Sequence, residues 1–219
     1  MNLRKCKFQY YFSVEGETEK WYLEWLQQQI NSADNATYGT LFNIKVEKDP
    51  VKRVKGMTLL TKTDIWHFSD YESGEPEHAK QFRATMDRME QAQRLKQVKY
   101  HFGYSNLTFD LWMILHKKNC SDAKSHRRQY ISDINQAYNE KFEDMHQFKH
   151  EDNFKRCLNQ LTLENVNDAI SRAKRIMDAL DAEARPCRYK SFSYFEQNPS
   201  LAIWEIIRDI MTKCGLRKS

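Results

Sequence analysis

Residues 8–25 read Phe8-Gln9-Tyr10-Tyr11-Phe12-Ser13-Val14, then Glu15-Gly16-Glu17-Thr18-Glu19, then Lys20-Trp21-Tyr22-Leu23-Glu24-Trp25. The first part is aromatic and β-branched, the composition of a strand. Beyond it Trp21, Tyr22, Trp25, Leu26 and Ile30 fall on one face at helical spacing. Gly16 between them predicts a tight turn, which leaves the Glu15 carboxylate at the carboxyl edge of the strand. In open α/β sheets that edge is where ligands bind. A second acidic pair, Asp70 and Glu72, also follows an apolar strand-like run.

Outward from this stretch the pattern keeps alternating. Leu41 to Glu47 alternates at Phe42, Ile44 and Val46 and predicts a second strand. Val51 to Thr61 predicts a short helix disturbed by Gly56. Asp64 to Ser69 predicts a third strand, with Asp70 to Gly74 as the loop after it. Glu77 to Lys96 predicts an exposed helix and Val98 to Tyr104 a fourth strand. Strands and helices in alternation predict a parallel four-stranded sheet flanked by helices.

After residue 106 only helices are expected. Leu107 to His116 opens behind Ser105-Asn106, which reads as its cap. Arg128 to Met145, Asp152 to Leu161 and Leu163 to Ala184 follow, and Asn198-Pro199-Ser200 punctuates before a last helix to Cys214. The segment from Ala184 to Phe195 mixes aromatic and basic residues with neither period and reads as a docking anchor for a larger partner. The chain thus divides into an α/β core, residues 1–106, and a C-terminal helical extension, residues 107–219, packed on it as one unit.

Composition excludes several classes. A chain of 219 residues with six glycines and four prolines suits long regular elements and short loops. No run of about 18 apolar residues offers a membrane span, and Met1 to Cys6 leads into the first strand without a signal peptide. The five cysteines are odd in number and scattered, as expected of reduced thiols in a cytoplasmic protein and not of a disulfide framework or zinc site. The net charge of +5 is compatible with nucleic acid without being diagnostic of it.

The acidic constellation carries the chemistry. Glu15, Asp70 and Glu72 close the first and third strands, whose ends can be neighbours in a parallel sheet. Oxygen-only ligands suit Mg²⁺ or Mn²⁺, and such a metal could activate water for attack on a phosphodiester. Glu17 and Glu19 read more plainly as macrodipole partners in a first helical turn. His116 shares a face with Phe109, Trp112 and Met113, which reads as a core histidine first and a substrate contact second. Trp112 reads as core.

Chain order narrows the fold. Haloacid-dehalogenase-type phosphatases place an Asp-x-Asp after the first strand, whereas here a Glu-Gly follows the first strand and paired acids follow the third. That order resembles the Toprim domain of primases, topoisomerases and overcoming-lysogenization-defect nucleases. More specifically, three runs resemble the RloB family: Val14-Glu15-Gly16-Glu17-Thr18-Glu19 with Tyr22, Phe68-Ser69-Asp70-Tyr71-Glu72, and Tyr104-Ser105-Asn106 with Phe109-Asp110-Leu111-Trp112 and Leu115-His116. The third is the most specific, and lesser matches at Phe148-Lys149, Ala169 to Lys174 and Asn198-Pro199-Ser200 carry the likeness along nearly the whole chain. Three positions depart from the family pattern: Glu72 and Asp110 exchange Asp and Glu, and Leu107 replaces a proline.

The resemblance implies a Toprim-like nuclease of prokaryotic phage defence, acting on DNA or RNA (tRNA included) beside an ABC/AAA-type ATPase. It implies Glu15 as metal ligand or general acid–base, Asp70 and Glu72 as Mg²⁺ ligands, and Lys149 as stabiliser of phosphate charge. His116 and Asp110 are further candidates for substrate contact. The alternative is a catalytically weak scaffold that binds nucleic acid or the ATPase. A strand-passage enzyme is disfavoured, because no nucleophilic tyrosine domain or zinc module is evident. Self-association is left open.

Overall fold

A computed structural model describes residues 5–218; the reading of residues 1–4 as a leaderless lead-in lies outside them. The elements are β1 (Lys7–Val14), α1 (Glu17–Ser32), β2 (Gly39–Val46), α2 (Pro50–Lys55), β3 (Thr63–Asp70), α3 (Pro76–Leu95) and β4 (Val98–Asn106). There follow α4 (Asp110–Leu115), a 3-10 turn at Arg127–Gln129, α5 (Tyr130–Tyr138), α6 (Met145–Phe148), α7 (Glu151–Leu158) and α8 (Leu163–Glu183). The chain ends with β5 (Cys187–Tyr189), β6 (Phe192–Tyr194), β7 (Ser200–Leu201) and α9 (Ile203–Lys213).

The main sheet runs β2-β1-β3-β4-β7. Its first four strands are parallel, as alternation with helices requires. The expectation of four strands is corrected by β7, which pairs antiparallel with the end of β4 through Ser105↔Leu201 and Asn106↔Ser200. Ser200 therefore sits in a strand, and the last helix begins at Ile203. Asn106 secures this edge by donating from Nδ2 to the carbonyls of Phe195, Glu196 and Gln197. At the opposite edge, side chains of α1 cap the free backbone of β2. Asn31 bonds both the N–H and the carbonyl of Thr40, and Gln27 accepts from Phe42 N–H. Such covering keeps an edge strand from pairing with another chain.

Both faces of the sheet are buried. On one, Tyr10, Phe12 and Val14 of β1 pack with Phe68 against α1, α4, α5, α7, α8 and α9. On the other, Ile65, Tyr100 and Tyr104 pack against α2, α3 and the β5–β6 hairpin. Fully buried side chains of this size each contribute about 1.5–3 kcal/mol of transfer free energy. The first core draws on β1 and α1 as well as on every helix after residue 106, so the two halves of the chain share it.

Four local expectations need correction. The stretch Arg128 to Met145 is broken, because Asn139 takes a left-handed φ of 52° and ends α5. Ser105 and Asn106 belong to β4 and cap nothing; α4 starts at Asp110 behind Phe109. The helix predicted for Val51 to Thr61 ends at Lys55, before Gly56. The segment Ala184 to Phe195 forms a hairpin whose Phe192, Tyr194 and Phe195 are buried. Strands of three residues are too short to show a period, which is why the sequence of this hairpin looks irregular.

Candidate active site

The parallel pairing of β1 with β3 sets the site. The register Ser13↔His67, carried two residues onward, brings Glu15 beside Ser69, and Ser69 Oγ donates to Glu15 Oε1 at 2.7 Å. Asp70 ends β3 next to it. The Tyr104–Asp110 segment straps the acidic loop in place. Tyr71 N–H donates to Ser105 O at 2.9 Å, Glu72 N–H to Leu107 O at 2.8 Å, and Phe109 N–H to Asp70 Oδ1 at 2.8 Å. The most distinctive run of the sequence is thus the clamp on the acids that precede it.

Gly16 serves a different purpose from the one its type suggests. Its φ is −145°, an extended value open to any residue, but a Cβ there would lie 3.0 Å from Glu19 Oε2. The glycine makes room for Glu19, which is buried and accepts from Thr18 Oγ1 at 2.9 Å. Glu19 is therefore part of the site, where the sequence suggested only a macrodipole partner. Asp110 completes the group from the first residue of α4, at 1% exposure. Its Oδ2 accepts from Thr108 Oγ1 at 2.8 Å and pairs with Lys149 Nζ at 3.0 Å, while its buried Oδ1 has no partner among the described residues.

The electrostatics follow from this crowding. Burial is the main reason that Glu15 holds its proton above the ordinary carboxylate range; the Ser69 hydroxyl and Lys48 pull the other way, and Glu19 adds to the rise. Glu19 is raised by burial too, opposed by its own backbone N–H, the Thr18 hydroxyl and Lys149. Asp70 is raised furthest, by burial and then by the charge of Glu19, with Glu15 and Asp110 adding to it against Lys149. Burial alone would lower Lys149, but Asp110, Asp70 and Glu19 outweigh it and raise the ammonium. Lys149 thus faces Asp110, Asp70 and Glu19 while Lys48 acts on Glu15, and acidic groups outnumber the lysines.

Glu72 stands one step out. Its φ of 63° is left-handed, a strained conformation for a long side chain. The Glu72 carboxylate faces His78 Nε2 at 3.3 Å and Arg127 Nη1 at 3.6 Å. Glu15, Asp70 and Glu72 nevertheless line one cavity of about 160 Å³ together with Lys48, Ser69 and His78. Among the described residues no three Asp, Glu, His or Cys side chains are already gathered as ligands of one ion. The donor set itself, all carboxylate oxygen with one orphaned buried oxygen beside it, fits a hard divalent cation.

His116 is not brought to this cavity. It is wholly buried, with Nδ1 2.8 Å from Trp112 O and Nε2 3.2 Å from Tyr22 Oη, and burial lowers its pKa to about 3. Lys149 does join the acids. The sequence offered one sign of Glu19, a threonine directly before it and a glycine three residues before it. Asp110, a candidate on the family resemblance, joins the acids as well.

Among the described residues no helix is long and apolar enough to cross a membrane. Neither the curated proteins nor the solved structures contain a match. A family model described as RloB-like protein matches residues 10–210, most of the chain and all of the site. The chain belongs to the RloB-like protein family.

Proposed function

We propose that this chain is a metal-dependent nuclease of Toprim type that hydrolyses phosphodiesters in DNA or RNA. The observation that carries the reading is the clustering of Glu15, Glu19, Asp70 and Asp110 at the carboxyl edge of β1 and β3, with Lys149 against the last three and Lys48 acting on Glu15. Buried carboxyls in such surplus are costly alone, and a divalent cation offsets the cost. Glu15, Asp70 and Glu72 would hold Mg²⁺ or Mn²⁺. A metal bound there would polarise the phosphodiester and lower the pKa of water.

The chain's own groups supply the rest. Asp110, itself held by the Thr108 hydroxyl, keeps the Lys149 ammonium beside the carboxylates, where it meets developing charge on a non-bridging phosphate oxygen. If Glu15 acts instead as the general base, Ser69 orients it and its raised proton affinity lets the ionised carboxylate take the proton that the attacking water gives up. The likeness to RloB proteins supports the wider setting in this reading: cytoplasmic anti-phage defence beside an ABC/AAA-type ATPase.

A second reading, a scaffold that binds nucleic acid or the ATPase without cleaving, is favoured by one observation. Glu72 is engaged by His78 and Arg127. Incubation of the full chain with plasmid DNA, single-stranded DNA and transfer RNA, with Mg²⁺ or Mn²⁺, decides between the two. The nuclease reading expects cleavage that Glu15→Gln and Asp70→Asn each abolish. Equal cleavage by the wild type and both variants, or none by any of them, rejects it.

A further inference from the structure

We infer that Arg127 is a phosphate-binding residue held in reserve by Glu72, so that nucleic acid and divalent metal each promote binding of the other. This rests on the nuclease reading and adds to it an order of assembly. Arg127 stands on the 3-10 turn, which the His126 and Gln129 side chains pin at its start. Its guanidinium faces Glu72 Oε1 at 3.6 Å, and its side chain is 53% exposed. It borders two adjoining cavities of about 500 and 590 Å³. The first also reaches Glu72, and the second reaches Asp110 and Lys149. Arg127 therefore stands at the junction between the open groove and the acidic site.

The physical argument is one of competition. A guanidinium matches a phosphate as well as a carboxylate, and an exposed pair at this separation holds its partners weakly. A phosphodiester entering the groove takes Arg127 from Glu72. Glu72 then keeps its contact to His78, and its carboxylate becomes available to a metal beside Glu15 and Asp70. A cation that draws Glu72 inward frees Arg127 for the phosphate in turn. Linkage makes the two effects equal in size. Arg128, His146 and Lys149 border the groove together with Glu75, Glu143 and Asp144, so its lining is of mixed sign and the contact that Glu72 controls is the one at Arg127.

The test titrates Mn²⁺ into the full chain by calorimetry, alone and with a phosphorothioate oligonucleotide present. In the wild type the oligonucleotide should tighten Mn²⁺ by about two- to fivefold, the range of an exposed ion pair. Arg127→Ala should bind Mn²⁺ alone more tightly by a similar factor, bind the oligonucleotide more weakly, and show no coupling. Arg127→Lys should keep the coupling in part. Wild-type Mn²⁺ affinity and coupling in Arg127→Ala overturns the inference. Asp70→Asn separates the two levels. If it loses Mn²⁺ while Arg127→Ala behaves as wild type, only this inference fails. If wild type binds no Mn²⁺, or Asp70→Asn binds it equally, the metal reading fails and takes the inference with it.

Discussion

Asp70→Asn is the substitution that bears most directly on the surplus of charge. It is nearly isosteric, and the amide oxygen still accepts from Phe109 N–H, at 2.8 Å in the wild type. Losing the charge weakens that bond by about 1 kcal/mol and removes the attraction to Lys149. Against this, the variant no longer buries a charge beside Glu19, Glu15 and Asp110. Because the Asp70 carboxyl is held well above its ordinary range, the unfavourable terms are the larger ones. Without divalent ions the variant should be more stable by about 1 kcal/mol, or about 2–4 °C in melting temperature for a chain of this size.

Saturating Mg²⁺ should reverse the order. Metal at about a hundred times its Kd stabilises the wild type by about 2.7 kcal/mol, and the variant lacks the ligand. The apo difference also depends on pH with a definite sign. A carboxyl whose folded-state pKa is raised contributes stability that is present below the ordinary Asp range and lost as pH rises through the folded value. The advantage of Asp70→Asn should therefore vanish at low pH and grow as pH rises. Buried His67 and His116, lowered to about 4 and about 3, destabilise both proteins alike as pH falls below the ordinary histidine range, so they cancel in the difference. Thermal melts of both proteins across pH, with EDTA and with Mg²⁺, make the test. A variant less stable than wild type in EDTA at neutral pH would refute the argument.

Three further outcomes follow from the same geometry. Lys149→Ala leaves Asp110 buried without its cation. It should cost about 2 kcal/mol, below the usual range for a broken buried pair because Lys149 is partly exposed, and Asp110→Asn added to it should recover most of the loss in denaturant melts. Glu72→Asp should keep or increase cleavage and change stability by less than about 0.5 kcal/mol, since Asp tolerates a φ of 63° better than Glu; a tenfold fall in rate would show that the longer arm is required. The joint replacement of Arg188, Tyr189 and Lys190 by alanine should lower the melting temperature measurably. Tyr189 Oη bonds Asp87 and the hairpin covers a core face, so an unchanged melting temperature would return this segment to the role of a free docking anchor.

The parts of the fold that were legible rest on local signals. The aromatic run Phe8 to Val14, the glycine after Glu15 and the stripe of α1 each announce themselves within a few residues, and the parallel direction of β1 to β4 follows from alternation. What escaped depends on partners distant in sequence. The two residues of β7 are a strand only because the end of β4, about a hundred residues earlier, offers its edge. Hairpin residue Tyr194 is core because α3 and β4 present Phe82 and Tyr104 to it, and Phe192 because β4 presents Phe102. The site divides the same way. Glu15 and Asp70 stand at strand ends and were visible, whereas Glu19 sits in a first helical turn like many solvated acids. Its place in the site depends on Lys149 and Asp110, whose charges act on it from far along the chain and which no local pattern records.

The most direct test of the account is divalent-ion-dependent cleavage by the purified full chain, assayed beside Glu15→Gln, Asp70→Asn and Lys149→Ala. The account predicts phosphodiester cleavage that requires Mg²⁺ or Mn²⁺, is abolished in the two carboxylate variants and falls sharply in the lysine variant at temperatures where it is folded. Cleavage that persists in EDTA, or that survives the loss of Asp70, would contradict it.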